Sequence, residues 1–462
     1  MYVVKKITYI LFFLCCLNAC KVKQKEPFVF PRSGLLEEIT KRGVLNVCTY
    51  YNTTDYYVYK GVTKGFHYEL VKDFAEYLGV KLHVEVNSDM EECIQELNEG
   101  KYDLIAMSLS VTENRKKRIL FTNPLFKTHS VLVQNKKRKE HVDSLSQLSG
   151  KDIYIQKGTF YEEFLQQLKD SLHSEFNISP LTEATYEDIL VMVENMEAEF
   201  TVTDHNIAKI AAHYMPYLDY SLGLSDEFPI AWGTALNGIL LTDELNAWLN
   251  NIKKSGKFNV LYNRYFNSSY VTSLHNSKYY KLKNGKISSF DPIIKKAAQT
   301  MGWDWRLLAA IIFQESGFNP EAFSWLGAVG LMQVMPETAL TLGIEDYTNP
   351  KDNVRAGTTY LKRLEKIFSK YPLKKEDLIK FTLAAYNAGP GHVIDAMKLA
   401  EAYNKNPYVW NNNVDYFLLH KSNPEFYRDT LIRHGYCDGK QAYDFVNNIL
   451  ENYSHYKNTI PE

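Results

Sequence analysis

The chain has 462 residues, 45% hydrophobic and 23% charged, which is the balance of a globular protein and not of a disordered or fibrous one. That length exceeds one ordinary domain, so two or more folded units are expected. A formal net charge of −1 leaves no basic footprint, and nucleic acid is not expected as a partner.

In chain order, the first element is an export signal. Lys5 and Lys6 precede an apolar run over residues 7–17 that is too short to span a bilayer comfortably. Leu17-Asn18-Ala19-Cys20 resembles a bacterial lipobox. It implies a signal peptide over 1–20, lipidation at Cys20 and a membrane anchor, with an ordinary signal cut elsewhere or an uncleaved anchor as alternatives. Residues 21–34 are polar and proline-marked, and read as a tether. Beyond the signal only Cys48, Cys93 and Cys437 remain, scattered without metal-ligand spacing. Buried free thiols are the expectation there, with a Cys48–Cys93 bridge left open.

From residue 35 to 266 short β-rich runs alternate with helical ones: VLNVCTYY, KLHVEV, KDIYIQKGT and EFTVTD are each followed by a helical stretch, and YDLIAMSL is a further β-rich run. Strand–helix alternation, with YDLIAMSL the run to which no helix is assigned, predicts an α/β domain with mostly parallel strands. It closes with one long helix ending near residue 266, and the charged run 135–141 reads as a solvated loop between two lobes. Residues 267–286 lack periodicity and suit a linker. Over 287–462 strand patterns nearly vanish and helical runs follow one another, so an all-α domain is predicted.

Within that domain, IIFQESGFNP places Glu315 near the end of an apolar helix with Asp304 as its N-cap and Gly317 as its stop. Leu308, Ile311 and Ile312 precede Glu315 by seven, four and three residues, so all four share one face. A carboxyl on an apolar face is desolvated, keeps its proton near neutrality and can serve as a general acid. The bland alternative is a glutamate at a fraying helix end, pointing to water.

Glu315-Ser316, Gly330-Leu331-Met332-Gln333 and Ala385-Tyr386-Asn387-Ala388-Gly389 together resemble the lytic transglycosylase domain of the soluble-type family. The resemblance implies a lysozyme-like helical fold that acts on peptidoglycan glycan strands at the MurNAc–GlcNAc β-1,4 bond, with no cofactor and no metal. It places Glu315 on the single catalytic acid/base. Ser316, Met332, Gln333, Tyr386 and Asn387 fall on positions that shape the glycan groove or hold the acid. The family often carries a tyrosine before a valine near its C-terminus. Phe445 stands there in this chain; either Tyr443 or Tyr436 substitutes or the hydroxyl is dispensable, and the role is left unassigned.

The stretch GKYDLIAMSLSVTENRKKRILFTNPLF, with its flanks over about 38–266, resembles the family 3 periplasmic solute-binding proteins for amino acids. The resemblance implies two lobes that close on a ligand. Arg115 would pair with its α-carboxylate, with Ser108 and Ser110 nearby and Asp204 holding its amine. An amino acid or muropeptide is the expected ligand, and a regulatory or docking role follows from its fusion to an enzyme. Lipobox and families together imply a lipoprotein facing the periplasm, in the outer membrane of a Gram-negative envelope. Two other readings stand beside this one. A lysozyme-type hydrolase would need a second acid, for which Glu321, Glu337 and Asp352 carry no motif. A non-enzymatic glycan- or solute-binding lipoprotein would have no need of Glu315.

Overall fold

The computed structural model describes residues 34–182, 184–268, 270 and 286–460. The signal, Cys20, nearly all of the tether and most of the linker lie outside the described residues.

The first lobe is built on β1 (Val44–Thr49), the hairpin β2 (Tyr57–Tyr59) and β3 (Val62–Lys64), then β4 (Lys81–Val86), β5 (Leu104–Ser110), β6 (Leu120–Phe121) and β7 (Phe126–Thr128). The second lobe holds β8 (Ser130–Asn135), β9 (Asp152–Gln156), β10 (Asn177–Leu181), β11 (Phe200–Asp204) and β12 (Leu218–Asp219). The chain then returns to the first lobe as β13 (Phe228–Thr234). The main sheets run β4-β1-β5-β13-β6, with β7 on β13, and β10-β9-β11-β8-β12. Around β1 the pairing is parallel, as the strand–helix alternation predicts. β13 and β8 run antiparallel to their neighbours, because each is the strand by which the chain enters its sheet from the other lobe.

Helices cover both sheets for the usual reason: Phe66, Leu70, Val71 and Phe74 of helix Phe66–Leu78 are buried on one face, and Gly79 ends it in the left-handed conformation at φ 69°. Two sequence expectations are corrected. The closing helix is two helices, Ile239–Lys254 and Lys257–Phe266, broken where Gly256 takes φ 78°. The charged run 135–141 does not join the lobes. It sits within the second lobe, where Arg138 pairs with Glu199 at 2.7 Å and Lys136 donates to the Pro216 carbonyl. The lobes are joined at His129, between β7 and β8, and by residues 220–227 before β13.

The C-terminal domain is helical throughout its main elements: Asp291–Met301, Trp305–Ser316, Pro350–Phe368, Lys375–Ala388, Pro390–Ala402 and Gly439–Thr459. Helix Trp305–Ser316 is its axis, and every residue from Trp305 to Ile312 is buried. An element buried over two turns, with its one charged residue there, Arg306, paired to Asp304 at 2.6 Å, must be surrounded, and the first and last helices of the domain pack against it.

The two domains touch along the last helix, which packs on β2, β3 and β4. Tyr56 Oη meets His455 Nδ1 at 2.6 Å, Tyr456 Oη donates to the Gly61 carbonyl at 2.9 Å, and Asn458 Nδ2 donates to the Val84 carbonyl at 2.6 Å. The β2–β3 turn reaches helix Trp305–Ser316 itself. At Gly61, with φ 80°, an added Cβ would lie 2.7 Å from Phe313 and 2.8 Å from Phe318.

Candidate active site and ligand cleft

Glu315 occupies the last turn of helix Trp305–Ser316, where the helix leaves the core. Asp304 caps the start, its Oδ1 accepting from Arg306 N at 2.9 Å, and Gly317 ends the helix at φ 58°, both as the sequence predicts. Leu308, Ile311 and Ile312 are fully buried below the carboxyl, while Glu315 itself is half-buried. Among the described residues it has no hydrogen-bond or ion-pair partner. Desolvation pushes its pKa up to about 8. A carboxyl so placed is protonated at neutral pH and free to give that proton to a ligand.

The motif residues gather around it through backbone bonds. Ser316 Oγ donates to the Leu331 carbonyl at 2.8 Å, and Tyr386 Oη donates to the Met332 carbonyl at 2.8 Å. These two side chains both hold the Gly330–Gln333 turn. Gln333 takes φ 44°, and its Nε2 is held by the carbonyls of Ala322 at 3.1 Å and Gly330 at 3.0 Å. Met332 is fully buried, and so acts here as packing under the turn. Asn387 is half-buried and makes no hydrogen bond among the described residues. The Glu315 charge also raises the Tyr386 phenol, after burial, which puts the two side chains near one another.

Sequence reasoning missed Asn353. It is fully buried, accepts from Met332 N at 2.8 Å and donates to the carbonyls of Val329 at 2.9 Å and Tyr347 at 2.8 Å. A Cβ on Gly330, at φ 77°, would collide with it, so that glycine is required. The residue lies in the first turn of a helix with no local signal to mark it. Phe445 stacks on Tyr386 with ring centroids 6.5 Å apart and planes at 7°. Tyr360 is Tyr386's other neighbour, at 5.6 Å. Tyr443 instead lines a separate pocket with Tyr403 and Tyr416, and Tyr436 is exposed beside Tyr427.

In the first domain, Ser108, Ser110, Arg115 and Asp204 all line one cleft between the lobes. Arg115 is set by the short helix Glu113–Lys116, capped by Thr112, and its Nη1 donates to the Ser110 carbonyl at 3.0 Å. It has no salt-bridge partner among the described residues, and burial lowers its pKa to about 10, so it stays charged. Asp204 accepts from Tyr161 Oη at 2.5 Å, and burial raises its carboxyl to about 6.

A second acid, Asp55, was not anticipated. It accepts from Asn52 Nδ2 at 2.9 Å and from Ser108 Oγ at 3.1 Å. Behind it runs a buried relay: Trp232 Nε1 donates to His67 Nδ1 at 2.8 Å, and His67 Nε2 lies 3.0 Å from Ser108 Oγ. Burial lowers the His67 pKa to about 4, so the ring is neutral and donates through Nε2. The cleft therefore offers one cation and two carboxyls, the donor set for a ligand with a carboxylate and an amine. Tyr50 Oη and Gln156 meet across the lobes, as do Thr53 and Glu187, whose Oε1 accepts from Thr53 Oγ1 at 2.6 Å.

A two-lobed α/β domain with a charged cleft, docked on a helical domain with a desolvated, unpartnered acid, defines a class, that of ligand-binding modules joined to a domain equipped for acid catalysis. The family model described as bacterial extracellular solute-binding proteins, family 3, matches residues 45–268, and that described as transglycosylase SLT domain matches residues 292–409. Among solved structures, a variant of ArgBP from T. maritima is 25% identical with a TM-score of 0.45, covering 51% of this chain and all of that one. The ancestral amino acid-binding protein AncCDT-1 is 27% identical with a TM-score of 0.44, covering 50% of this chain and 98% of that one. Proteins named membrane-bound lytic murein transglycosylase F match over nearly the full length. That of Desulfosudis oleivorans is 31% identical, covering 90% of this chain and 91% of that protein. That of Pseudomonas fluorescens is 31% identical, covering 91% and 86%. The chain belongs to the membrane-bound lytic murein transglycosylase F family.

Proposed function

We propose that the chain is a peptidoglycan lytic transglycosylase that cuts the MurNAc–GlcNAc β-1,4 bond without water and leaves 1,6-anhydro-MurNAc ends. The observation that carries this is Glu315: a single protonated carboxyl at a groove, with nothing but burial acting on it. Glu315 protonates the leaving glycosidic oxygen while the substrate's own acetamido group steadies the anomeric carbon. The resulting carboxylate then takes the proton of the C6 hydroxyl of the same MurNAc, which attacks and closes the anhydro ring. A tethered nucleophile has a high effective concentration, so no second acid has to position water. The carboxylates a hydrolase would need are occupied or turned out: Asp352 pairs with Arg355 at 2.9 Å, and Glu321 and Glu337 are exposed.

Ser316, Tyr386 and Gln333 are positioning residues that hold the turn beside Glu315. Asn387 has amide groups to spare for acetamido or hydroxyl contacts. Phe323, Trp325 and Leu326 stand exposed on a turn closed by Gly327 N donating to the Ser324 carbonyl at 2.9 Å. The base of that turn is Ala322, the partner of Gln333, so this apolar shelf continues the groove and suits the faces of sugars.

The first domain takes an amino acid or the stem peptide of a muropeptide: Arg115 receives the carboxylate, Ser108 and Ser110 flank it, and Asp204 and Asp55 receive amines. Its ligand biases the catalytic domain through the β2–β3 turn, because Asn52, Thr54 and Asp55 of the cleft lead directly into that hairpin. Cys20 carries the lipid that anchors the chain in a periplasm-facing leaflet, the outer membrane being favoured. Among the described residues no helix is long and apolar enough to cross a membrane.

The test is mass spectrometry of sacculi treated with the protein, with Glu315→Gln as control. Anhydro ends, one water lighter than reducing ends and absent with the variant, support the reading. Reducing ends would make the protein a hydrolase, and no release at all would leave a binding protein.

A further inference from the structure

Cys48 lies on β1 and Cys93 on helix Met90–Asn98, and both side chains are fully buried. Their sulfurs are 2.9 Å apart. That is closer than two unbonded sulfurs rest, and a small movement from the bonded separation of about 2.05 Å. Ile94, Leu97, Tyr102, Ile105 and Met107 close around them in an apolar cluster. Cys93 Sγ otherwise reaches the Asn87 carbonyl, at 3.8 Å. No group of three or more metal-ligating side chains occurs among the described residues, so the pair is not part of a metal site. Cys437, the remaining thiol there, is half-buried in the other domain.

We propose that Cys48 and Cys93 are joined by a disulfide in the exported protein, and that this bond braces one wall of the ligand cleft. Sequence spacing favoured free thiols. The fold brings together two cysteines that lie 45 residues apart. Asn87, Ser88 and Met90, just ahead of Cys93, line the cleft. Asp89 caps their helix by accepting from Glu91 N at 2.9 Å and Glu92 N at 3.1 Å. β1 in turn pairs with β5, the strand that carries Ser108 and Ser110. The bond therefore ties the cleft-lining segment 87–90 to the sheet that presents the ligand-facing serines. Closing a loop of this size also removes conformational freedom from the unfolded chain.

The bond forms by thiol–disulfide exchange with an extracytoplasmic protein disulfide. One cysteine thiolate attacks a sulfur of the oxidant, releasing one oxidant thiol and leaving a mixed disulfide. The second cysteine thiolate then displaces the other oxidant sulfur. The protein loses two protons and two electrons, and the oxidant ends as two thiols. In the folded protein, contact with the Cys93 sulfur and burial push the Cys48 thiol upward, so exchange precedes closure of the cluster. This inference rests on the extracytoplasmic placement and not on the cleavage chemistry, which the sacculus assay reads separately.

To test it, the full chain exported to a bacterial envelope is denatured without reductant, alkylated with iodoacetamide, digested and weighed. The expected product joins the Cys48 and Cys93 peptides, two hydrogens lighter than their sum, with Cys437 alkylated. Alkylation of all three cysteines overturns the proposal. As a second readout, a phosphine reductant should lower the melting temperature of the wild type by roughly 5–10 °C and leave a Cys48→Ala/Cys93→Ala variant unmoved. A wild-type melt indifferent to reductant, or a variant equally sensitive, overturns the brace.

Discussion

Glu315 combines two properties that rarely coexist at a helix end: it is desolvated and it is unpartnered. Because burial raises its carboxyl from the usual 4.5 to about 8, the acid form persists through neutrality and is lost as pH rises past that value. Cleavage of sacculi should therefore fall on the alkaline side with a midpoint near pH 8, and Glu315→Gln should lower kcat about 10²–10⁴-fold, read as anhydro-product release. The same shift has a sign for stability. Between pH 4.5 and 8 the unfolded chain releases a proton that the folded chain retains, so this residue lowers stability as pH rises through that window. Glu315→Gln removes the effect. Its melting temperature should exceed the wild type's at pH 8 and converge with it below pH 4.5, measured by calorimetry across pH. In the other domain, Arg115→Ala should abolish the thermal shift produced by a ligand bearing a free α-carboxylate while leaving the fold intact. Its guanidinium makes one backbone hydrogen bond and no ion pair among the described residues. Glu315 was legible because an acid on an apolar helix face is a conflict visible in one dimension. Asp55 and His67 were not, since their relay through Ser108 and Trp232 joins four separate stretches of chain.

The element that matters most beside the acid is the Gly330–Gln333 turn. Three other segments hold it, through Ser316, Tyr386 and Asn353, and Gln333 folds its own amide onto the Ala322 carbonyl. Asn353→Ala strips three hydrogen bonds from a fully buried site and should cost about 2–4 kcal/mol, seen in denaturant unfolding, together with a fall in kcat. The exposed turn that carries Trp325 makes a different prediction. Trp325→Ala should raise KM for sacculi several-fold with little change in kcat or stability, because a stacking contact far from the reacting bond binds ground and transition states alike. At this scale the sequence marked these segments through their motifs. It did not show that Ser316, Tyr386 and Gln333 hydrogen-bond backbone carbonyls. That depends on what each one faces after folding.

Over the whole molecule, the decisive contact is the β2–β3 turn pressed between Phe313 and Phe318, two residues before and three after Glu315. The hairpin leaves the ligand cleft at Asp55 and ends at the catalytic helix, with Tyr56 and Tyr456 holding its flanks to the last helix. Gly61→Ala would drive a methyl into both phenylalanines from a backbone conformation that alanine resists. It should split the thermal unfolding into two transitions, one per domain, and make the cleavage rate independent of any ligand of the first domain. A single transition and an unchanged ligand response would show that this contact does not couple the domains.

By itself the sequence determined that there are two domains of different class, and it marked the acid, the arginine and the motif segments. Hydrophobic period, caps and short motifs act within a few turns of chain, and that is the range over which those features are encoded. Only the tertiary structure decided what pairs across distance: the antiparallel entry of β13, the break at Gly256, Asn353 beneath the turn, the meeting of Cys48 with Cys93, and the hairpin seated on the catalytic helix. Each of these depends on surfaces brought together by burial of two hydrophobic cores, and no local pattern records which surfaces those will be.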